Sequence, residues 1–257
     1  MSLGAISQEF LQAVETATGR PVHVETDSKL QPPLLARLQL ARGGAPIHRV
    51  VYHPNAQAVA DYLIAFQCSF ALRLFALPAD QRFDLVATPD AETESLRWVK
   101  THPASASLPP DRQRAYAEFL QNSLLTMVRS IPIGLRIDQD LRARFPALRE
   151  PQEQAIRRQI DTHASVLRPE VQRSVPEAPY RMSLGVNATF AKVWSALLGE
   201  SGWTLPYVAA GAMSLGDRLL DRFHELAAGP ENDQQLITAW AKELGLHSWL
   251  RWEPYAG

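Results

Sequence analysis

The chain has 257 residues, 46% hydrophobic and 21% charged, enough to bury a sizeable core as one large domain or two small ones. A formal net charge of −1 supplies no global field to recruit nucleic acid or an anionic membrane, and a single cysteine excludes an internal disulfide. No run reaches the ~18 consecutive apolar residues of a spanning helix, and "MSLGAISQEF" lacks a basic region followed by an apolar stretch. The expectation is therefore a cytoplasmic chain in a reducing compartment, with no membrane partner.

Residues 6–18 place Ile6, Phe10, Ala13, Val14 and Ala17 on one helical face, and Gly19-Arg20-Pro21 ends that helix. The periodicity then shortens. "PVHVETD" (21–27), "LLARLQLAR" (34–42) and "IHRVVYHP" (47–54) read as three strands, the last two joined through Gly43-Gly44 as a hairpin. After Pro54 a helix follows, "NAQAVADYLIAFQCSFALRLF", with Asn55 as its expected N-cap.

Everything beyond reads as helical: 91–101, 111–130, 137–146, 150–167, 169–175, 179–199, 207–228 and 232–244, punctuated by prolines. The fold class is α+β: a helix and a three-stranded sheet, then a mostly α-helical remainder. The weakest joint is "ATPDAETE" (87–94), which predicts an α/β unit over 1–88 and a helical region over 89–257 packed on it. Five of the six tryptophans, Trp194, Trp203, Trp240, Trp249 and Trp252, fall in the last 64 residues, where large aromatics close a core.

The densest apolar run is "ADYLIAFQCSFALRLF" (60–75). At about 100° per residue, Asp61, Ser69 and Arg73 share one third of the circumference, and Gln67 projects instead into the apolar arc. A buried amide without partners costs about 1–3 kcal/mol. Gln67 must then either tie down a backbone group or border a cleft. Cys68, in an apolar helix with no His near it in sequence, reads as a buried, inert thiol.

A helix with His at i and i+4 and Glu at i+1 is the HExxH zinc arrangement, in which two imidazoles meet one metal and the Glu acts as general base. "FQCSF" (66–70) keeps that spacing and loses every functional group: Phe66 and Phe70 stand at the His positions and Gln67 at the Glu position. With the preceding helix and small sheet, and the turn through "ALPADQRF" after it, residues 6–80 resemble the zincin-like metallopeptidases. The likeness is to the small gluzincin group that includes bacterial stress-response and phage-repressor-regulating peptidases. In that group a later helix adds a Glu ligand; a candidate counterpart, "YRMSLGVNATFAKVWSALL" (180–198), contains no Glu. Phenylalanine cannot bind zinc, and Gln is no general base near neutral pH. The resemblance thus implies a catalytically inactive scaffold with a binding or regulatory role, no metal and no cofactor. An apolar cleft beside Phe66, Gln67 and Phe70 would hold a peptide or small apolar ligand, or serve a regulatory protein.

Two other readings stay open. One is an enzyme with an unrecognised metal-dependent hydrolytic site, around His224 and Glu225 with Asp221, or around His48 and His53. The other is a DNA-associated regulator using the arginine-rich helices of 135–160, among them Arg136, Arg142, Arg144, Arg149, Arg157 and Arg158. There Asp138, Asp140, Glu150 and Glu153 are interleaved, which favours a salt-bridged solvated face over a nucleic-acid partner. No nucleophile elbow, phosphate loop or dinucleotide fingerprint occurs.

Overall fold

A computed structural model describes residues 3–30 and 35–257; residue 34, the first of the expected second strand, and residues 1–2 lie outside them. In chain order the elements are α1 (Ala5–Thr18), β1 (Val22–Thr26), β2 (Ala36–Gln39), β3 (His48–Tyr52), α2 (Ala60–Phe75), β4 (Phe83–Ala87) and α3 (Pro89–Thr101). There follow α4 (Pro103–Ala106), α5 (Pro110–Arg144), α6 (Arg149–Ala164), α7 (Pro169–Ser174), α8 (Glu177–Leu198), α9 (Leu205–Ala209), α10 (Met213–Glu225), α11 (Asp233–Glu243) and β5 (Leu250–Pro254). The fold is α+β and mostly helical.

Contacts divide the chain into two compact units. The first comprises residues 1–84, 136–159 and 254–257, and the second 85–135 and 160–253.

In the first unit β3 lies between its neighbours, with β1 parallel to it and β2 antiparallel, in the order β1-β3-β2. The Gly43-Gly44 hairpin is present; both glycines have positive φ, 55° and 88°, which a side chain would strain. β2 is an edge strand. α1 packs along α2, and the start of one is fastened to the start of the other: the Asp61 carboxylate accepts from the Gly4 N–H at 3.0 Å and from the Ser7 hydroxyl at 2.6 Å. Asp61, at the first turn of α2, thus fills the open end of α1. Phe10, Val14, Val50, Ile64, Ala65 and Cys68 form the core between helices and sheet. Residues 54–75 are apolar enough to cross a membrane by length and mean hydropathy, 1.4 over the best window. Much of that stretch is packed inside this unit: Ile64, Ala65 and Cys68 are fully buried.

The second unit is built around α8, α10 and α11. Trp194, Trp240 and Trp249 are fully buried, as the crowding of aromatics at this end predicts. Trp249 stacks against Trp98 at 4.9 Å, and its indole N–H donates to Glu94 at 2.8 Å. α8 and α10 approach closely at Gly185 and Gly216, where the Thr189 hydroxyl reaches the Gly216 carbonyl at 3.0 Å. A Cβ at Gly216 would already lie 3.0 Å from that of Ala188.

Four expectations need correction. Residues 83–87 and 250–254 are not helical; they form the paired strands β4 and β5. Helices 111–130 and 137–146 are one helix, α5, which runs through Pro132. Residues 132–138 are all buried, so tertiary packing holds the turns on either side of the proline despite its missing N–H. The 207–228 segment divides into α9 and α10 around Gly211 (φ 69°). Asn55 is not the N-cap: His53 Nδ1 accepts from the Asn55 N–H at 3.1 Å and opens a 3₁₀ turn, Pro54–Val59, that leads into α2.

Candidate functional site

Gln67 bonds through both ends of its amide. Its Oε1 accepts from the Leu38 N–H at 3.0 Å, and its Nε2 donates to the Ala36 carbonyl at 3.2 Å. In the β2–β3 register, Ala36 pairs with Tyr52 and Leu38 with Val50. The Ala36 carbonyl and Leu38 N–H are those β2 turns away from β3, the pair an added strand would use. One amide side chain from α2 therefore takes the place of a neighbouring strand. The same bonds bind the helix to the sheet.

Phe66 and Phe70, at the i and i+4 positions flanking it, meet each other edge to face at 5.3 Å. Tyr62, one turn earlier, continues the ladder to Phe66 at 5.8 Å. Both phenylalanines are half-buried, whereas Cys68 on the inner face is fully buried and its thiol is pushed up to about 12 by burial. A thiol so protonated is neither nucleophile nor metal ligand.

The Tyr62 hydroxyl leads to a group that sequence reasoning did not single out as functional. It donates at 2.7 Å to Asp138 on α5, which is buried. Gln152 on α6 donates through Nε2 to the Asp138 side chain at 3.2 Å and to its main-chain carbonyl at 2.9 Å. Burial pushes the Asp138 carboxyl up to about 7, against the two hydrogen bonds, which hold it down. The Tyr62 phenol rises well above its usual range, first through burial and then through the Asp138 charge. Gln152 Oε1 is buried with no hydrogen-bond partner, so a protonated Asp138 brings an O–H to a neighbourhood that lacks a donor.

The other candidate residues do not assemble. Asp221, His224 and Glu225 sit on an exposed face of α10, where Glu225 pairs with Arg222, itself bonded to Glu243. His48 and His53 each spend Nδ1 on a local amide, of Ala41 at 2.8 Å and of Asn55 at 3.1 Å. In the arginine-rich stretch, Arg144 pairs with Asp140 at 3.0 Å and Arg157 with Glu153 at 2.9 Å, both one turn apart. Arg136 is buried. The segment 180–198 forms α8 within the second unit. Among the described residues, no three His, Cys, Asp or Glu side chains are grouped so as to hold a metal ion.

Comparison with models of protein families, with curated proteins and with solved structures finds no match to this chain.

Proposed function

We propose that this chain is a non-catalytic protein on a zincin-like scaffold, acting by binding or regulation rather than by hydrolysis. The element order of the first unit, helix, three strands, helix, agrees with that reading. One observation carries it. At the three positions where the HExxH spacing would put two ligands and a base, the side chains are engaged with one another and with β2. Gln67 carries no titratable proton, and the adjacent thiol is inert. Since Gln67 occupies the outer edge of β2 at Ala36 and Leu38, a peptide partner could not add there as a strand without displacing it.

Metal content and peptidase assays test the reading on the full chain. After exposure to zinc and dialysis, the protein should retain no stoichiometric metal and leave a general peptide substrate uncut. F66H/F70H, which keeps the Gln67 clamp, should then take up zinc at the restored spacing. Stoichiometric zinc in the unaltered chain, or proteolysis that Q67A abolishes, would overturn the inactivity. Failure of F66H/F70H to take up zinc would overturn the scaffold assignment.

A further inference from the structure

A second region of the first unit has the opposite chemistry: hydrogen-bond donors without acceptors. A cavity of about 280 Å³ is lined by Arg20, His48, Phe75, Arg82, Tyr255 and Gly257 among others. Arg20 follows the left-handed Gly19 that ends α1, and Arg82 follows the turn after α2. His48 opens β3, and Tyr255 follows β5, held by its N–H to the Arg82 carbonyl at 2.8 Å.

The two arginines are anchored but not neutralised. Arg20 donates to the Ala41 carbonyl at 2.8 Å, and Arg82 to the carbonyls of Leu77 at 2.8 Å and Phe75 at 3.1 Å. Carbonyls orient a guanidinium without supplying a countercharge, and among the described residues neither arginine is in an ion pair. A third, Arg42, lies over the Tyr255 ring at 4.8 Å, but it forks onto the Asp84 carboxylate. Of the charged side chains that act on the Tyr255 hydroxyl, Arg42 and Asp84 thus offset each other, while Arg20 and Arg82 remain.

His48 is 1% exposed and lines this cavity. Its Nδ1 accepts from the Ala41 N–H, so the neutral ring carries its proton on Nε2. Nε2, on the far side of the ring, is buried with no hydrogen-bond partner. The Tyr255 hydroxyl is likewise buried and unpartnered. A donor left unmet in the interior costs about 1–3 kcal/mol. Two such donors, on residues that line one cavity together with two guanidiniums outside any ion pair, call for a single acceptor with several oxygens.

We propose that this cavity binds a phosphate group, as free orthophosphate or as the phosphate of a small monoester. Two guanidiniums, an imidazole N–H and a phenol offer more donors, in more directions, than a planar carboxylate has lone pairs to satisfy. A tetrahedral phosphate uses them. Phe75, half-buried in the same wall, carries the Arg82 guanidinium over its ring at 4.7 Å and meets the Tyr255 ring edge to face at 5.6 Å, which holds both donors in place. The proposal stands whether or not α2 descends from a metal site.

Calorimetric titration of the full chain with orthophosphate and with phenyl phosphate, at low ionic strength, tests it. Both should bind saturably; tighter binding of phenyl phosphate identifies a monoester as the occupant, and equal or weaker binding identifies the free ion. Y255F removes one oxygen, and H48N keeps an acceptor for the Ala41 N–H while deleting the Nε2 donor. Each should weaken binding about tenfold. Thermal melting first establishes that each variant is folded. If neither phosphate binds at millimolar concentration, if acetate binds more tightly than phosphate, or if both variants bind as the parent does, the proposal fails.

Discussion

The Gln67 clamp and the arginine-lined cavity are two polar intrusions into the same small unit, with opposite accounts of their hydrogen bonds. At Gln67 both ends of a neutral amide meet the two backbone groups that complement them. In the cavity His48 Nε2 and the Tyr255 hydroxyl, buried beside two uncompensated cations, meet nothing. A polar side chain whose bonds are made to the backbone of a neighbouring element is a joint in the architecture. An unsaturated one is a standing free-energy cost that the rest of the molecule offsets, and a ligand can recover it. The stretch with metal-ligand spacing is the structural joint, and the region with no motif is the one for which we propose a ligand.

The Tyr62–Asp138–Gln152 cluster falls between these two cases and gives the largest test. Asp138 is bonded by both neighbours while Gln152 Oε1 stays unpartnered, and the central group titrates. The folded carboxyl, near 7, lies above its ordinary value of 3.8, so the fold favours the protonated form. That contribution is complete below about pH 4 and is lost as the pH rises through about 7. D138N holds the neutral form at every pH. Urea unfolding should show the parent chain losing up to about 4 kcal/mol relative to D138N between pH 4 and pH 8. Parallel profiles would mean that Asp138 stays ionised and behaves, like Gln67, as a fixed joint.

The next effect belongs to the clamp. Q67L leaves the Ala36 carbonyl and the Leu38 N–H unpaired beneath an apolar side chain, and should cost about 2–3 kcal/mol in denaturant unfolding. Were Gln67 the wall of an open cleft, water would replace it and the loss would stay within about 0.5 kcal/mol. Q67E sharpens the point. One carboxylate oxygen can still accept from Leu38, but the other faces the Ala36 carbonyl, so Q67E should recover stability as the pH falls and the acid regains a donor.

These differences also mark what was legible in the sequence. The 3.6-residue period gave α2, and the angular isolation of Gln67 required a partner or a cleft for it. Which one could not be read, because the partner is the far edge of a strand 29 residues earlier, exposed only by the order β1-β3-β2. The early helix, three strands and most later helices were readable from local period and proline. β4 and β5 were not: each is five residues long and pairs with one strand far away in the chain. Asp138 looked like part of a charged surface face, since its neighbours Asp140 and Arg144 are on one; its own burial comes from packing. The cavity was the least legible. Arg20, Arg82 and Tyr255 carry no spacing signal and would each pass as an ordinary turn or strand-end residue, and His48 stood out only beside His53, which does not line the cavity.

The smallest expected effect bears on the cavity in its empty state, and its sign matters more than its size. If the Tyr255 hydroxyl is a buried donor without an acceptor, deleting it relieves a cost. Y255F should then be as stable as the parent, or more stable by up to about 1 kcal/mol, in phosphate-free buffer. Adding phosphate should reverse the order, because the parent gains more from the ligand than the variant does. Denaturant midpoints with and without phosphate give all four values. If Y255F is destabilised by about 1 kcal/mol in both conditions, its hydroxyl is a joint like Gln67 and the contrast between the two regions disappears. A crossing of the two pairs of curves fixes it, since only a group left unsatisfied by the fold can weaken the free protein and strengthen the bound one.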